Sequence, residues 1–169
     1  MSSGTIVYVT GLPSSGKSTF AEALRLRLRE ARVPACILDS DALREALVPS
    51  PDYGPTGRAN VYETLARIGL LLAQQGLVVI IAATANREEY RASAFRLAPR
   101  FVEVLIDTPI EVCRERDTKG LYAAYRQGRA RHVPGEDEDY ERPHGPDVVA
   151  KGGHDLDALN QTLTILTSE

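Results

Sequence analysis

Gly11-Leu12-Pro13-Ser14-Ser15-Gly16-Lys17-Ser18 follows the spacing G-x-x-x-x-G-K-[S/T], a pattern suited to wrapping a polyphosphate. Gly11 and Gly16 permit backbone angles that other residues resist, so the amides around Ser14 and Ser15 can turn inward onto phosphate oxygens. A helix that opens at Lys17, with Ser18 and Thr19 in its first turn, adds the positive end of its dipole. Lys17 can bridge the transferred phosphate, and the Ser18 hydroxyl can hold Mg²⁺ with help from an acid elsewhere. The cofactors implied are ATP and Mg²⁺.

Two apolar runs end in candidate acids, Asp39 after Ala-Cys-Ile-Leu and Asp107 after Val-Glu-Val-Leu-Ile. Asp39 and Asp41 stand two apart just beyond a strand's carboxyl end, where open α/β sheets bind ligands. One can direct an acceptor hydroxyl while the other, or its water shell, meets Mg²⁺; the residues leave open which does which. Asp107 reads either as a metal-associated acid or, with Thr108-Pro109 directly behind it, as a helix cap, and the cap is expected. Arg114, Arg116, Lys119, Arg126, Arg129 and Arg131 fall within residues 114–146, a stretch punctuated by Gly and Pro that reads as a lid able to neutralise phosphate charge. A regulatory GTPase should carry N-K-x-D, which does not occur. His132, His144 and His154 read as surface residues, and Cys36 and Cys113 as packed thiols without disulfide or zinc spacing.

The elements that must hold these groups follow from hydrophobic period. Residues 5–10 form a buried strand, and 17–31 a helix with Phe20, Leu24, Leu28 and Ala31 in register, stopped by Pro34. Residues 35–38 form a second strand, and 42–47 a short helix capped by Ser40 or Asp41. Five Pro and Gly residues between 48 and 57 predict irregular loop, followed by a helix over 58–75, an interior strand over 77–83 and a helix over 88–97. A strand at 101–106, a short helix opened by Pro109, a strand at 147–150 and a C-terminal helix carrying Leu156, Leu159, Leu163 and Leu166 complete the series. Alternating strands and helices predict an α/β fold of three layers, with about five parallel strands between two layers of helices.

The chain has 169 residues, one domain's worth, and 43% of them are hydrophobic, enough for one core. A formal charge of -3 gives no global field for nucleic acid or acidic membrane, so neither is expected as a partner. No apolar run approaches the roughly 20 residues of a membrane span, and residues 1–5 show no signal-peptide pattern, so a cytoplasmic protein, monomeric or homodimeric, is expected.

From about Ile6 to Val149 the chain resembles the adenylyl-sulfate (APS) kinase family, which passes the γ-phosphate of ATP to the 3′-hydroxyl of adenosine 5′-phosphosulfate. The likeness is carried by Leu38-Asp39-Ser40-Asp41-Ala42-Leu43-Arg44, similar to D-G-D-x-x-R, and by Arg116-Asp117-Thr118-Lys119-Gly120-Leu121-Tyr122, similar to R-D-x-K-G-L-Y. Gly135-Glu136-Asp137-Glu138-Asp139-Tyr140-Glu141-Arg142-Pro143 resembles G-I-D-x-P-Y-E-x-P. The resemblance implies a P-loop kinase fold with Arg116 and Lys119 on the donor, Asp41 as base or orienter with Asp39 its near-equivalent, and Ser18 and Asp39 at the metal. It further implies a nucleotide-like anionic acceptor held by Arg44 and Arg58, with Tyr53 against its adenine, Arg131 in place of a lid lysine and Val133 in place of a lid phenylalanine. Val61 replaces a family Asn, and Ala83-Thr84-Ala85-Asn86 replaces F-I-S-P, so the departures fall on the acceptor side. A kinase for another nucleotide conjugate, a sugar or an antibiotic is therefore the first rival, and a nucleotide-dependent switch or accessory ATPase the second. A polynucleotide kinase is a weaker variant, since an acidic chain without an aromatic platform suits it poorly.

Overall fold

A computed structural model describes residues 4–168. In chain order the elements are β1 (Thr5–Gly11), α1 (Lys17–Glu30), β2 (Ala35–Asp39), α2 (Ser40–Ala46), α3 (Pro55–Ala73) and β3 (Val78–Ala82). They continue with α4 (Glu88–Leu97), β4 (Phe101–Ile106), α5 (Ile110–Arg116), α6 (Leu121–Arg126), β5 (Val148–Ala150) and α7 (Leu156–Thr167). All strand pairings are parallel and the order is β2-β3-β1-β4-β5, as the alternation predicts.

The central strands are buried on both faces, so their residues divide by parity between two cores. Val7 and Val9 of β1 join Phe20, Leu24 and Leu28 of α1 and Ala158 and Leu159 of α7. Ile6 and Tyr8 face the other way, onto Val61, Leu65 and Ala66 of α3 and Tyr90 and Ala94 of α4. This topology sets the site. The chain leaves β1 for β2, returns through β3 and crosses to β4 on the far side, so the carboxyl end of β1 opens where the winding reverses.

Three local expectations are corrected. α3 begins at Pro55, inside the stretch expected to be loop, because proline suits the first helical position and the first-turn amides need no carbonyl partner. Gly57 then packs in that first turn against Asp52, whose carbonyl oxygen would lie 2.4 Å from an added Cβ. The cap of α2 is Asp39, not Ser40 or Asp41, and its carboxylate accepts from the amides of Asp41 at 2.9 Å and Ala42 at 3.3 Å. Asp107 caps nothing: Arg142 forks onto both its oxygens at 2.6 and 2.9 Å and holds its carboxyl below the ordinary carboxylate range, leaving Pro109 before α5 without a side-chain cap. Among the described residues no helix is long and apolar enough to cross a membrane.

Candidate active site

At the carboxyl end of β1 the chain turns through Ser14 (φ 60°) and Gly16 (φ 106°), both left-handed, before α1 begins at Lys17. Such turns curl successive amides into a concave anion nest, here continuous with the amino end of a helix. The loop is braced from four sides. Thr108 donates to the Ser15 carbonyl at 2.7 Å, Arg116 reaches that oxygen at 3.4 Å, and Tyr122 donates to the Pro13 carbonyl at 2.9 Å. From beyond β5, Gly153 packs so closely that a Cβ on Gly16 would lie 2.7 Å from its nitrogen.

The Lys17 ammonium folds back onto the loop, donating to the carbonyls of Gly11 at 3.1 Å and Leu12 at 2.7 Å. Burial there pushes it down to about 8, and Asp41 opposes that shift. An arriving phosphate would supply what these carbonyls give only in part, full negative charge on a desolvated ammonium. Ser18 donates to Asp39 Oδ2 at 2.8 Å, so a hydroxyl and a carboxylate oxygen sit together at the mouth of the loop. Among the described residues no three His, Cys, Asp or Glu side chains cluster to hold a metal alone. One hydroxyl and one carboxylate are nevertheless a fitting donor set for Mg²⁺, which keeps its waters and takes its remaining ligands from substrate phosphates.

The two aspartates are thereby given different surroundings. Asp39 has one oxygen in the helix cap and the other on Ser18. Asp41, half exposed, points across the cavity to the Lys119 ammonium, with which it is ion-paired. Both line a cavity of ≈ 870 Å³ that reaches from the phosphate loop to the lid.

The wall of that cavity also carries Arg44, Tyr53 and Arg58. Arg44 is buried, donates to the Asp52 carbonyl at 2.9 Å and lies over the Tyr53 ring with 4.4 Å to its centroid. Arg58 is also buried and donates to the His132 carbonyl, joining α3 to the lid. Arg116, Lys119, Arg129 and Arg131 bring lid cations to the same space. Val133 differs from expectation: it is fully buried against Cys113 and Tyr122 and is not on the cavity wall. Val61 is likewise buried and off the wall.

Residues missed from sequence include Tyr62 and His154, both on the wall, where Thr84 of the 83–86 segment joins them. Tyr62 lies one turn beyond Arg58, a spacing that could have found it; its hydroxyl accepts from the Ala85 amide at 3.1 Å. Thr84 accepts, through its carbonyl, the Thr10 hydroxyl at 2.7 Å, and Tyr140 meets that same hydroxyl at 2.8 Å, pinning the lid's return to β1. His154 had no local signal.

A left-handed loop opening a helix at the end of a parallel strand, with a hydroxyl-carboxylate pair at its mouth and a second carboxylate and buried arginines on the same cavity wall, defines a P-loop phosphotransferase that acts on a small acceptor. A family model described as Adenylylsulphate kinase matches residues 3–151, and the chain belongs to that family. The adenylyl-sulfate kinase of Paraburkholderia xenovorans is 40% identical over 147 residues, covering 86% of this chain and 82% of that one. That of Chloroflexus aurantiacus is 37% identical over 146 residues, with 86% and 78% covered. The APS kinase of Mycobacterium tuberculosis, solved in complex with AMPPNP and APS, superposes with a TM-score of 0.92 at 34% identity, covering 99% of this chain and 100% of that one.

Proposed function

We propose that this chain is a cytoplasmic adenylyl-sulfate kinase that transfers the γ-phosphoryl group of Mg-ATP to the 3′-hydroxyl of adenosine 5′-phosphosulfate. The acceptor oxygen forms a bond to the γ-phosphorus, the bond from that phosphorus to the β–γ bridging oxygen breaks, ADP leaves, and the hydroxyl proton passes to Asp41. The observation that carries this reading is one cavity whose wall brings together Lys17, the Ser18–Asp39 pair, Asp41, Arg44 and Arg58.

Each residue then has a task. Lys17 and the nest orient the β- and γ-phosphates, so the reacting centres meet without a search. Ser18 would hold Mg²⁺ directly, with Asp39 positioned by its helix cap to hold it directly or through water. That ion supplies charge neutralisation on the phosphates when bound. Arg116 and Lys119 add fixed positive charge over the transferred group, and the lid excludes water that would otherwise compete as acceptor. Arg44 and Arg58 offer planar forks to the phosphate and sulfate oxygens of the acceptor. The test is ADP release by purified protein with Mg-ATP, with and without APS, and isolation of the 3′-phosphorylated product. Release that does not depend on APS would overturn the reading.

A further inference from the structure

We infer that Arg91, buried and off the cavity wall, is a positioning residue for acceptor binding: it clasps residues 84–86 to residues 139–141 of the lid, and through that clasp sets Arg58. This deepens the proposed function and rests on it, since Arg58 is there a holder of the acceptor's anion.

β3 lies between β2 and β1, so the chain leaving it enters the cavity wall at Thr84 on the same side as Asp39 and Asp41, which follow β2. The ends of β4 and β5 brace the phosphate loop from the other side, through Thr108 and Gly153. Next to Thr84, Ala85 has φ 39°, a left-handed backbone that a residue with a Cβ adopts only when its surroundings impose it. Both its backbone groups are held. The amide donates to the Tyr62 hydroxyl at 3.1 Å, and the carbonyl accepts from Arg91 Nη1 at 2.6 Å.

The same guanidinium donates through Nη2 to the Glu141 carbonyl at 2.8 Å, while its Nε faces Glu103 at 3.3 Å. Arg91 is 3% exposed and does not line the cavity, so its work is on these two segments and not on a ligand. Around it the segments also bond each other. The Glu141 amide donates to the Asn86 carbonyl at 2.8 Å, and the Asn86 side chain to the Asp139 carbonyl at 3.0 Å. Both arms of the clasp lead to Arg58. Tyr62, which takes the Ala85 amide, lies one turn beyond Arg58 on α3. Glu138, the neighbour of Asp139, meets the His132 ring nitrogen at 2.8 Å, and the His132 carbonyl accepts from the Arg58 guanidinium. Spanning two carbonyls takes the planar fork of an arginine, which the single ammonium of a lysine does not reproduce.

The experiment measures KM for APS, KM for Mg-ATP and kcat in purified Arg91→Met and Arg91→Lys. In Arg91→Met, KM for APS is expected to rise about tenfold, the effect of losing charged hydrogen bonds, with kcat and KM for Mg-ATP within about twofold of the parent. Arg91→Lys keeps the charge beside Glu103 but not the fork; it should show the same split at about threefold, and it carries the test if Arg91→Met does not fold. Adding Ala85→Gly to either variant should bring KM for APS back to within about twofold of the parent, because glycine takes the left-handed backbone unaided. A merely structural role would raise both KM values together and gain nothing from the glycine. That result, or an unchanged KM for APS, would overturn the inference and leave the adenylyl-sulfate reading intact. No turnover of APS by the parent would overturn both.

Discussion

The Ser18 hydroxyl donates to the Asp39 carboxylate across 2.8 Å, while the other oxygen of the same carboxylate caps α2 through the amides of Asp41 and Ala42. One side chain thus ties the phosphate loop to α2, the helix that carries Asp41. Function and stability at Asp39 can be separated, because asparagine caps a helix as well as aspartate but brings no charge to a metal.

Asp39→Asn is expected to keep Tm within about 2 °C of the parent while losing Mg-ATP turnover by about 10²-fold or more. Asp39→Ala should lose that activity and also about 1 kcal/mol of stability through the missing cap. Paired thermal melts and steady-state kinetics check both; equal Tm losses for the two variants would remove the capping role.

Lys17 gives the ATP site a proton balance. Its ammonium is lowered to about 8 by burial, against an ordinary 10.5. Bound phosphate favours the charged form and raises it, so ATP binding takes up a proton at pH values above about 8 and affinity falls as pH climbs past that point. Without ligand the sign is opposite for folding: the unfolded chain holds this proton more tightly, so the Lys17 contribution to stability rises from about pH 8 to 10.5. Calorimetry at pH 9 in buffers of different ionisation enthalpy should show proton uptake in the parent and none in Lys17→Met.

Tyr140 acts in the alkaline range. Burial pushes its hydroxyl up to about 12 from an ordinary 10.0, partly offset by its hydrogen bond with Thr10. The proton is held more tightly in the folded state, so this contribution is whole below pH 10 and lost between 10 and about 12. Tyr140→Phe should cost about 1 kcal/mol at neutral pH and flatten the loss above pH 10. Urea melts across that range provide the measurement; an unchanged alkaline slope would contradict it.

How much of this was legible from sequence depends on chain distance. The phosphate loop was legible because its parts are consecutive and lie between a strand pattern and a helix pattern. Asp39 and Asp41 were visible as a pair, but their separate roles turn on α2 starting at Ser40, a boundary one residue finer than periodicity resolves. Asp107 was misread because the group that claims it, Arg142, lies 35 residues away across the lid. Gly153 and His154 reach the loop only after the lid has been traversed, and nothing local marks them. Val133 shows the limit of carrying a position over from a family: its alignment with a lid aromatic says nothing of the smaller side chain turning inward, where Cys113 and Tyr122 accept it.

The path of one phosphoryl group is the most direct test of the proposed reaction. With ATP labelled at the γ-phosphate and APS as acceptor, the label should appear on the 3′-oxygen of the product. Asp41→Asn should slow that transfer by about 10²–10⁴-fold, with its folding intact because Asp39 still caps α2. Label released only as inorganic phosphate, or transfer unchanged in Asp41→Asn, would contradict it.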